Sequence, residues 1–422
     1  MADGQNSGAE VSTGGHREAS VTPARLQTMF VLLFPTRAPS SFAGFGEASG
    51  GIEPLPPEDA GARMEQLREV EVALLGTTYL ESRRMVRWPL GRVRLPQSQQ
   101  GPRPDHADVF LVTHTAGAAV WECWIPAPEQ PLDAARYVAW LRFDGAGSLV
   151  ALLRERIGNI DRRLSSLPDL DDCFPLTILR SASDHPSVDL IVAEQGADLV
   201  RLLYLDRSSL PLKGQIVADE LGRDFCLHEG GVSLLSQRSA LDLRTNEVLE
   251  SVDGALVLPP RSALPLLVSV ELLLIERAVL RLLHERLVDT EVPESMQRLI
   301  ELKAQVLDGL EEYRGTVAES NRFSGEVTAY GERVLGIDAL YRALNERLDG
   351  VTFEITTGYQ QTTNVLQFSL TVVLGALTAS YLAAAIATVH YGHDLLPIVL
   401  WAAGAGLATA AAVVILLRSR LR

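Results

Sequence analysis

The chain has 422 residues, a formal net charge of −15 and three cysteines. That acidity excludes a general nucleic-acid binder, which needs a basic face. Cys123, Cys173 and Cys226 are odd in number and widely spaced, which excludes a disulfide framework or zinc signature and suits a reducing compartment.

Residues 1–25 are rich in Gly, Ser and Ala and hold no apolar core of a secretory signal, so an N-terminal tail on a cytoplasmic body is expected. Leu26–Pro35 reads as a first strand, and its MFVLLF run is too short to cross a membrane. Ser40–Ala62 reads as a Gly-, Pro- and acid-rich loop. Asp108–Thr113 and Ala118–Ile125 are apolar runs around Ala116-Gly117, which predicts a hairpin. Asp133–Leu141 and Leu149–Leu164 have helical spacing, and Val188–Ala193 and Gly231–Leu235 read as strands. Short strands and helices mix without a clean βαβ period. The expectation for 26–258 is an α/β or α+β domain with no solenoid repeat.

After Pro259-Pro260 the character changes to a helical region, 259–318. Leu266–Leu287 is dense in Leu and Val, with Pro265 suited to a first helical turn. Glu271, Glu276, Arg277 and Arg281 interrupt it too often for a membrane span, so a buried soluble helix is expected. Pro293 opens a further helix, Glu294 to about Val317. In a stalk segment, 319–364, Val327, Tyr330, Val334, Ile337, Tyr341, Leu344, Leu348, Val351 and Ile355 recur at steps of three and four. This is a coiled-coil seam between subunits or, equally, the seam of an intramolecular bundle. A helix unbroken from Ser320 through Val389 would be ~105 Å long. Gly325, Gly331, Gly336, Gly350 and Gly358 are its weak points.

The last sixty residues decide the class. Val365–Val389 and Leu395–Leu417 are two uncharged apolar runs separated by His390-Tyr391-Gly392-His393-Asp394. Each exceeds the ~20 residues that cross the hydrocarbon core as a helix. So short a connection makes them antiparallel neighbours. Arg418, Arg420 and Arg422 follow the second run, and the loop has no Lys or Arg. The tail and the body are therefore expected in the cytoplasm and the loop outside, in a multi-pass inner-membrane protein.

These features resemble the CorA-type magnesium channel family, whose signature Tyr-Gly-Met-Asn follows the first membrane helix. Here that place reads Tyr391-Gly392-His393-Asp394: the first two residues match, and His and Asp replace Met and Asn. The basic tail from Arg418 matches in kind. The family's proline inside the first membrane helix is absent, and the outer loop is shorter. The resemblance covers the C-terminal hundred residues and, in outline, the body. It implies a cytoplasmic α/β domain, a long stalk helix and a two-helix transmembrane hairpin. It also implies a homo-oligomer, pentameric in the family, that passes Mg2+ or another divalent cation with no tightly bound cofactor. An ungapped match back from Tyr391 puts Thr371, Leu374, Thr378 and Ala385 at pore-lining positions. Tyr391, Gly392, His393 and Asp394 fall at the pore mouth. Asp394 would present a carboxylate where the family has an amide, and a hard cation accepts oxygen. A non-transporting membrane effector and a membrane-anchored scaffold are the competing readings.

Other candidates are weaker. His390, His393 and Asp394 form H-x-x-H-D, a metal or pH-sensing set in a ring of subunits, although the same spacing occurs in ordinary polar turns. Asp105, His106, Asp108 and His114 are a second metal candidate or plain loop polarity. Asp169, Asp171 and Asp172 read as capping or solvated acids. Gly145-Ala-Gly147-Ser148 reads as a turn, and His228-Glu229 and His284-Glu285 each lack a second zinc-ligand histidine. No nucleophile–base–orienter set is present, so an enzyme is not expected. The expected partners are the lipid bilayer and further copies of the chain, not nucleic acid.

Overall fold

A computed structural model describes residues 25–38, 52–55, 57–82, 85–96, 104–142, 148–160, 173–181, 187–245, 250–252, 256–258, 260–289, 322–391 and 395–420. The chain divides into two compact units, 1–285 with 305–341 and 286–304 with 342–422.

The first unit is a mixed α/β fold on an eight-stranded sheet. Its strands are β1 (Arg25–Arg37), β2 (Ile52–Glu53), β3 (Met85–Arg94), β4 (His106–His114), β5 (Ala118–Pro131), β6 (Phe174–Ser181), β7 (Gly231–Leu235) and β8 (Ala240–Thr245). The order across the sheet is β2-β3-β4-β5-β1-β6-β8-β7. Every neighbouring pair is antiparallel except β6 and β8. Strands β9 (Glu250–Val252) and β10 (Leu256–Leu258) form a separate two-stranded ribbon. The central strands are buried on both faces, which is why β1 and β5 read as nearly continuous apolar runs instead of alternating ones.

Helices cover the two faces differently. On one face lie α3 (Ala134–Leu141), α4 (Leu149–Ile160) and α5 (Val188–Tyr204). They enclose Phe30, Leu32, Trp121, Cys123, Leu179 and Leu241 in a single apolar core. Phe30 meets Tyr137 and Trp140 edge-on, with ring centroids 5.1 and 6.1 Å away. The other face carries α1 (Pro57–Leu75) and α7 (Leu264–Asp289), which bring charged side chains onto the sheet. The short α2 (Tyr79–Ser82), α6 (Gly214–Leu221) and α8 (Arg322–Val334) complete the unit. Helix α8 rests on α7, where Ser324 Oγ is 3.3 Å from Ser269 Oγ.

Most of the expected elements form, with two corrections in this unit. Val188–Ala193 is the start of α5, not a strand. Ser187 caps it by accepting a hydrogen bond from the Leu190 N–H at 3.3 Å, and Ile191, Leu199, Leu202 and Leu203 supply a helical apolar stripe beyond the six residues that resemble a strand. The end of the expected loop Ser40–Ala62 already belongs to α1. Helix α4 forms over Leu149–Ile160, and residues 161–164 of the expected helix lie outside the described residues. The expected helix Glu294–Val317, Asp169, Asp171, Asp172 and the Gly145-Ala-Gly147 turn lie outside the described residues.

Two helices close the chain: α9 (Ile337–Tyr391), whose first five residues belong to the first unit, and α10 (Leu395–Arg420). The stalk is not one helix from Ser320. Gly336 takes φ +72°, which a side chain would strain, and separates α8 from α9. In the first unit Val327 and Ile337 are 0 % exposed, so the intramolecular alternative holds at these two positions.

Helices α9 and α10 contain windows long and apolar enough to cross a membrane. These are Leu366–His390 with mean hydropathy 2.0 and Leu395–Ala412 with 1.8. Only 6 % of the first and 0 % of the second is buried by the chain, unlike a core helix of a water-soluble body.

Candidate functional site

The hairpin packs through small residues. On α9 the half-buried or buried positions are Val372, Ala376, Ala379, Ser380, Ala383 and Ala387. On α10 they are Ile398, Ala402, Ala405, Gly406 and Thr409. Both sets recur at steps of three and four. Gly406 is placed so that any side chain there would strike Ser380 Oγ. Backbones approach in this way where lipid, as apolar as leucine, gives no hydrophobic drive and dispersion must do the work.

At 100° per residue, the α9 face directly opposite α10 is fixed by that packing. It carries Gln360, Asn364, Gln367, Thr371, Leu374, Thr378, Tyr381 and Ala385, all of them exposed. The steps along this face are four and three in alternation. Thr363, Leu382 and Val389 fall in the same arc, so seven of its eleven side chains are polar, while the flanks bear Leu366, Leu370, Val373, Leu377 and Ile386. Thr371 and Thr378 donate their hydroxyls to the Gln367 and Leu374 carbonyls at 2.8 and 2.7 Å. Their oxygens keep acceptor capacity outward. A polar row on a membrane helix avoids lipid by facing a water-filled cavity or other helices.

The positions matched from the sequence therefore share one face: Thr371, Leu374, Thr378 and Ala385 lie on it. Tyr391 is the last residue of α9, and Gly392, His393 and Asp394 lie outside the described residues. His390 is exposed at the end of the helix. The sequence match missed Tyr381 and the three amides Gln360, Asn364 and Gln367. A count at alternating steps of four and three back from Ala385 finds all four.

The second metal candidate does not assemble. Asp108 is taken by Arg63 at 2.7 Å and by Arg92 at 2.7 Å. His106 pairs with Asp105 at 2.6 Å, and His114 Nδ1 accepts from the Ala116 N–H. Burial acts to raise the Asp108 carboxyl, but the Arg92 hydrogen bond and the Arg63 charge outweigh it and hold it below its ordinary value. No group of three or more His, Cys, Asp or Glu able to hold a metal occurs among the described residues.

A buried ionic cluster occupies the charged face of the sheet. Arg87 of β3 contacts Glu122 of β5, Glu271 of α7 at 2.7 Å and Glu71 of α1 at 3.5 Å. Tyr79 OH donates to Glu271 at 3.3 Å, and Trp124 Nε1 donates to Glu122 at 3.1 Å. One guanidinium faces three carboxyls, all within 5 % exposure. Burial pushes the Glu271 carboxyl well above its ordinary range, against the pull of Arg87, and the Glu122 charge adds to the rise. Burial likewise raises Glu71. Burial alone would lower Arg87, yet Glu122 and Glu271 outweigh it and raise it. Burial thus favours the protonated form of Glu271 beside the one fixed cation of the cluster. A second set lies across β6, β7 and β8: Arg180 pairs with Asp242 at 2.5 Å and donates to Ser262, while Ser233 donates to Asp242 at 2.6 Å. These networks tie helices to the sheet.

No family model matches the chain, and no curated protein or solved structure does either.

Proposed function

We propose that copies of this chain assemble around α9 into a membrane pore on a CorA-like plan, with the body and the arginine tail in the cytoplasm. A hydrated divalent cation such as Mg2+ passes along the polar face of α9. One observation carries the reading: the polar row from Gln360 to Tyr381 stands diametrically opposite α10, on a helix otherwise dressed for lipid. Inside the span the row is Gln367, Thr371, Thr378 and Tyr381, which a lone hairpin would leave in hydrocarbon and a ring of copies supplies with water. The break at Gly336 and the burial of Val327 and Ile337 move the expected assembly contact away from the upstream seam and onto this face.

The competing reading, an effector whose pore opens on a signal without selecting divalent ions, draws on one feature. From Ile355 to Tyr391 the chain has no Asp, Glu, Lys or Arg, so this stretch of α9 offers a divalent ion no charge. Flux of magnesium, cobalt and zinc into proteoliposomes separates the two, with the parent and Asp394→Ala side by side. The proposal expects cation flux in the parent and a strong loss in Asp394→Ala. A parent that passes nothing at any divalent concentration on the body side would sink it and leave an anchoring or effector role.

A further inference from the structure

Tyr381 is the largest side chain on the polar face and is 79 % exposed. Its position in the Leu366–His390 window puts it ~14 Å from one end and ~22 Å from the other. Tyrosines that anchor membrane helices sit at the headgroup level, with the ring in lipid and the hydroxyl in water. Tyr381 is too deep for that. Its hydroxyl has no hydrogen-bond partner among the described residues, and a phenol left in hydrocarbon bears the cost of an unsatisfied polar group. It also points away from α10, so its own hairpin offers no relief. Water or another copy of the chain is what remains.

Resting on the pore reading above, we propose that Tyr381 is the specificity-determining side chain of the path. Its neighbours on the face are smaller: Thr378 precedes it and Ala385 follows it. In a ring of copies the phenols close the path more than either. They are neutral, so they cannot repay an ion for lost hydration, and a cation such as Mg2+ gives up its waters reluctantly. The ion passes with its first water shell on. The Tyr381 hydroxyls exchange hydrogen bonds with those waters, and the ring edges set the largest diameter that passes. Selection at this level is by hydrated size, separate from any charge selection at Asp394.

Two measurements on the full chain in proteoliposomes test this. In the first, Tyr381→Cys is exposed to a membrane-impermeant cationic thiosulfonate beside Thr378→Cys and the flank control Ile386→Cys, against the parent's own cysteine background. Tyr381→Cys and Thr378→Cys should react and Ile386→Cys should not. Reaction at Thr378→Cys without reaction at Tyr381→Cys would overturn the Tyr381 assignment and leave the pore reading standing; no reaction at either would overturn both. In the second, permeation of magnesium and of the bulky cation N-methyl-D-glucamine is compared. Tyr381→Ala should admit the bulky cation that the parent excludes. Tyr381→Phe should keep the exclusion while magnesium flux falls roughly three- to tenfold, about the weight of one lost hydrogen bond. An unchanged size limit in Tyr381→Ala would defeat the proposal, even with flux intact.

Discussion

Both faces of the eight-stranded sheet bury apolar side chains, but only one adds a layer of ions. Under α3, α4 and α5 the sheet presents Phe30, Leu32, Trp121, Cys123 and Leu241, and the layer is closed by dispersion and water exclusion. Under α1 and α7 it presents Arg87, Asp108, Glu122, Arg180 and Asp242, each at most 5 % exposed. The alternation of side chains along each strand makes this possible: Trp121 and Cys123 point one way, and Glu122 between them points the other. The apolar face tolerates sliding and repacking. The charged face does not, because every ion there needs its own partner at its own distance. The charged face therefore specifies how α1 and α7 sit, while the apolar face supplies most of the favourable burial.

The sharpest way to break that contrast is Arg87→Met. It leaves Glu71, Glu122 and Glu271 without their cation, and a loss of about 3–5 kcal/mol is expected from stranding buried charge. Thermal unfolding of the full chain in detergent reads it. Replacing Glu71, Glu122 and Glu271 by Leu in the same variant should recover most of the loss, since an apolar replacement of a whole buried network is often neutral. Failure to recover would mean that the network does more than position helices. On the opposite face Leu32→Ala, at 0 % exposure, should cost roughly 3 kcal/mol by lost transfer energy and cavity, with no pH dependence.

The raised Glu271 carboxyl separates the faces by pH. Its folded pKa lies above its ordinary 4.5, so the stability linked to it is fully present below that value and is lost as pH rises through the folded pKa. Across that window one proton is worth about 1.4 kcal/mol per pH unit. Glu271→Gln keeps a neutral group in place and should flatten the alkaline decline of the unfolding temperature while changing little in acid. Asp108 works in the opposite sense: its lowered carboxyl contributes above its ordinary 3.8 and is lost as pH falls through the folded value. An alkaline limb as steep in Glu271→Gln as in the parent would move the proton elsewhere in the cluster.

The same contrast explains what was legible in the sequence. The apolar hairpin and the β4–β5 turn declare themselves locally, through run length and the glycine between two apolar stretches. The charged face does not. Glu122 reads as a blemish in an apolar run and Glu271 as an interruption in a leucine-rich helix, because their partner Arg87 lies far away in the chain; Arg87 and Glu271 are 184 residues apart. Interruption by Glu271 correctly argues against a membrane span in α7, yet it conceals that the charge is buried. The heptad seam fails for a related reason. Spacing states that Val327 and Ile337 are buried, and they are, but spacing carries no information on whether the cover comes from the same chain. Val188–Ala193 is too short for its period to choose between strand and helix. On α9, position-by-position matching to the family pattern finds Thr371 and Thr378 and passes over Tyr381, whereas the packing against α10 defines the face opposite it.

The smallest effect expected is at the one place where a polar pair joins the apolar face. Thr28 Oγ1 and Tyr137 OH are 3.0 Å apart and both are 0 % exposed, between β1 and α3. Tyr137→Phe removes the phenol oxygen but keeps the ring against Phe30 and Trp140, so packing is almost unchanged. What is lost is one neutral hydrogen bond, about 1 kcal/mol, plus the cost of a threonine hydroxyl left alone unless it turns to a nearby backbone carbonyl. Thr28→Val alone strands the phenol in the same way and should cost a similar amount. The double variant should then lose less than the two singles summed, because each single already bears the penalty of the orphaned partner. If the double loss equals the sum, the pair contributes no coupling. Thr28 and Tyr137 would then stabilise the face only by filling space, as the aliphatic residues around them do.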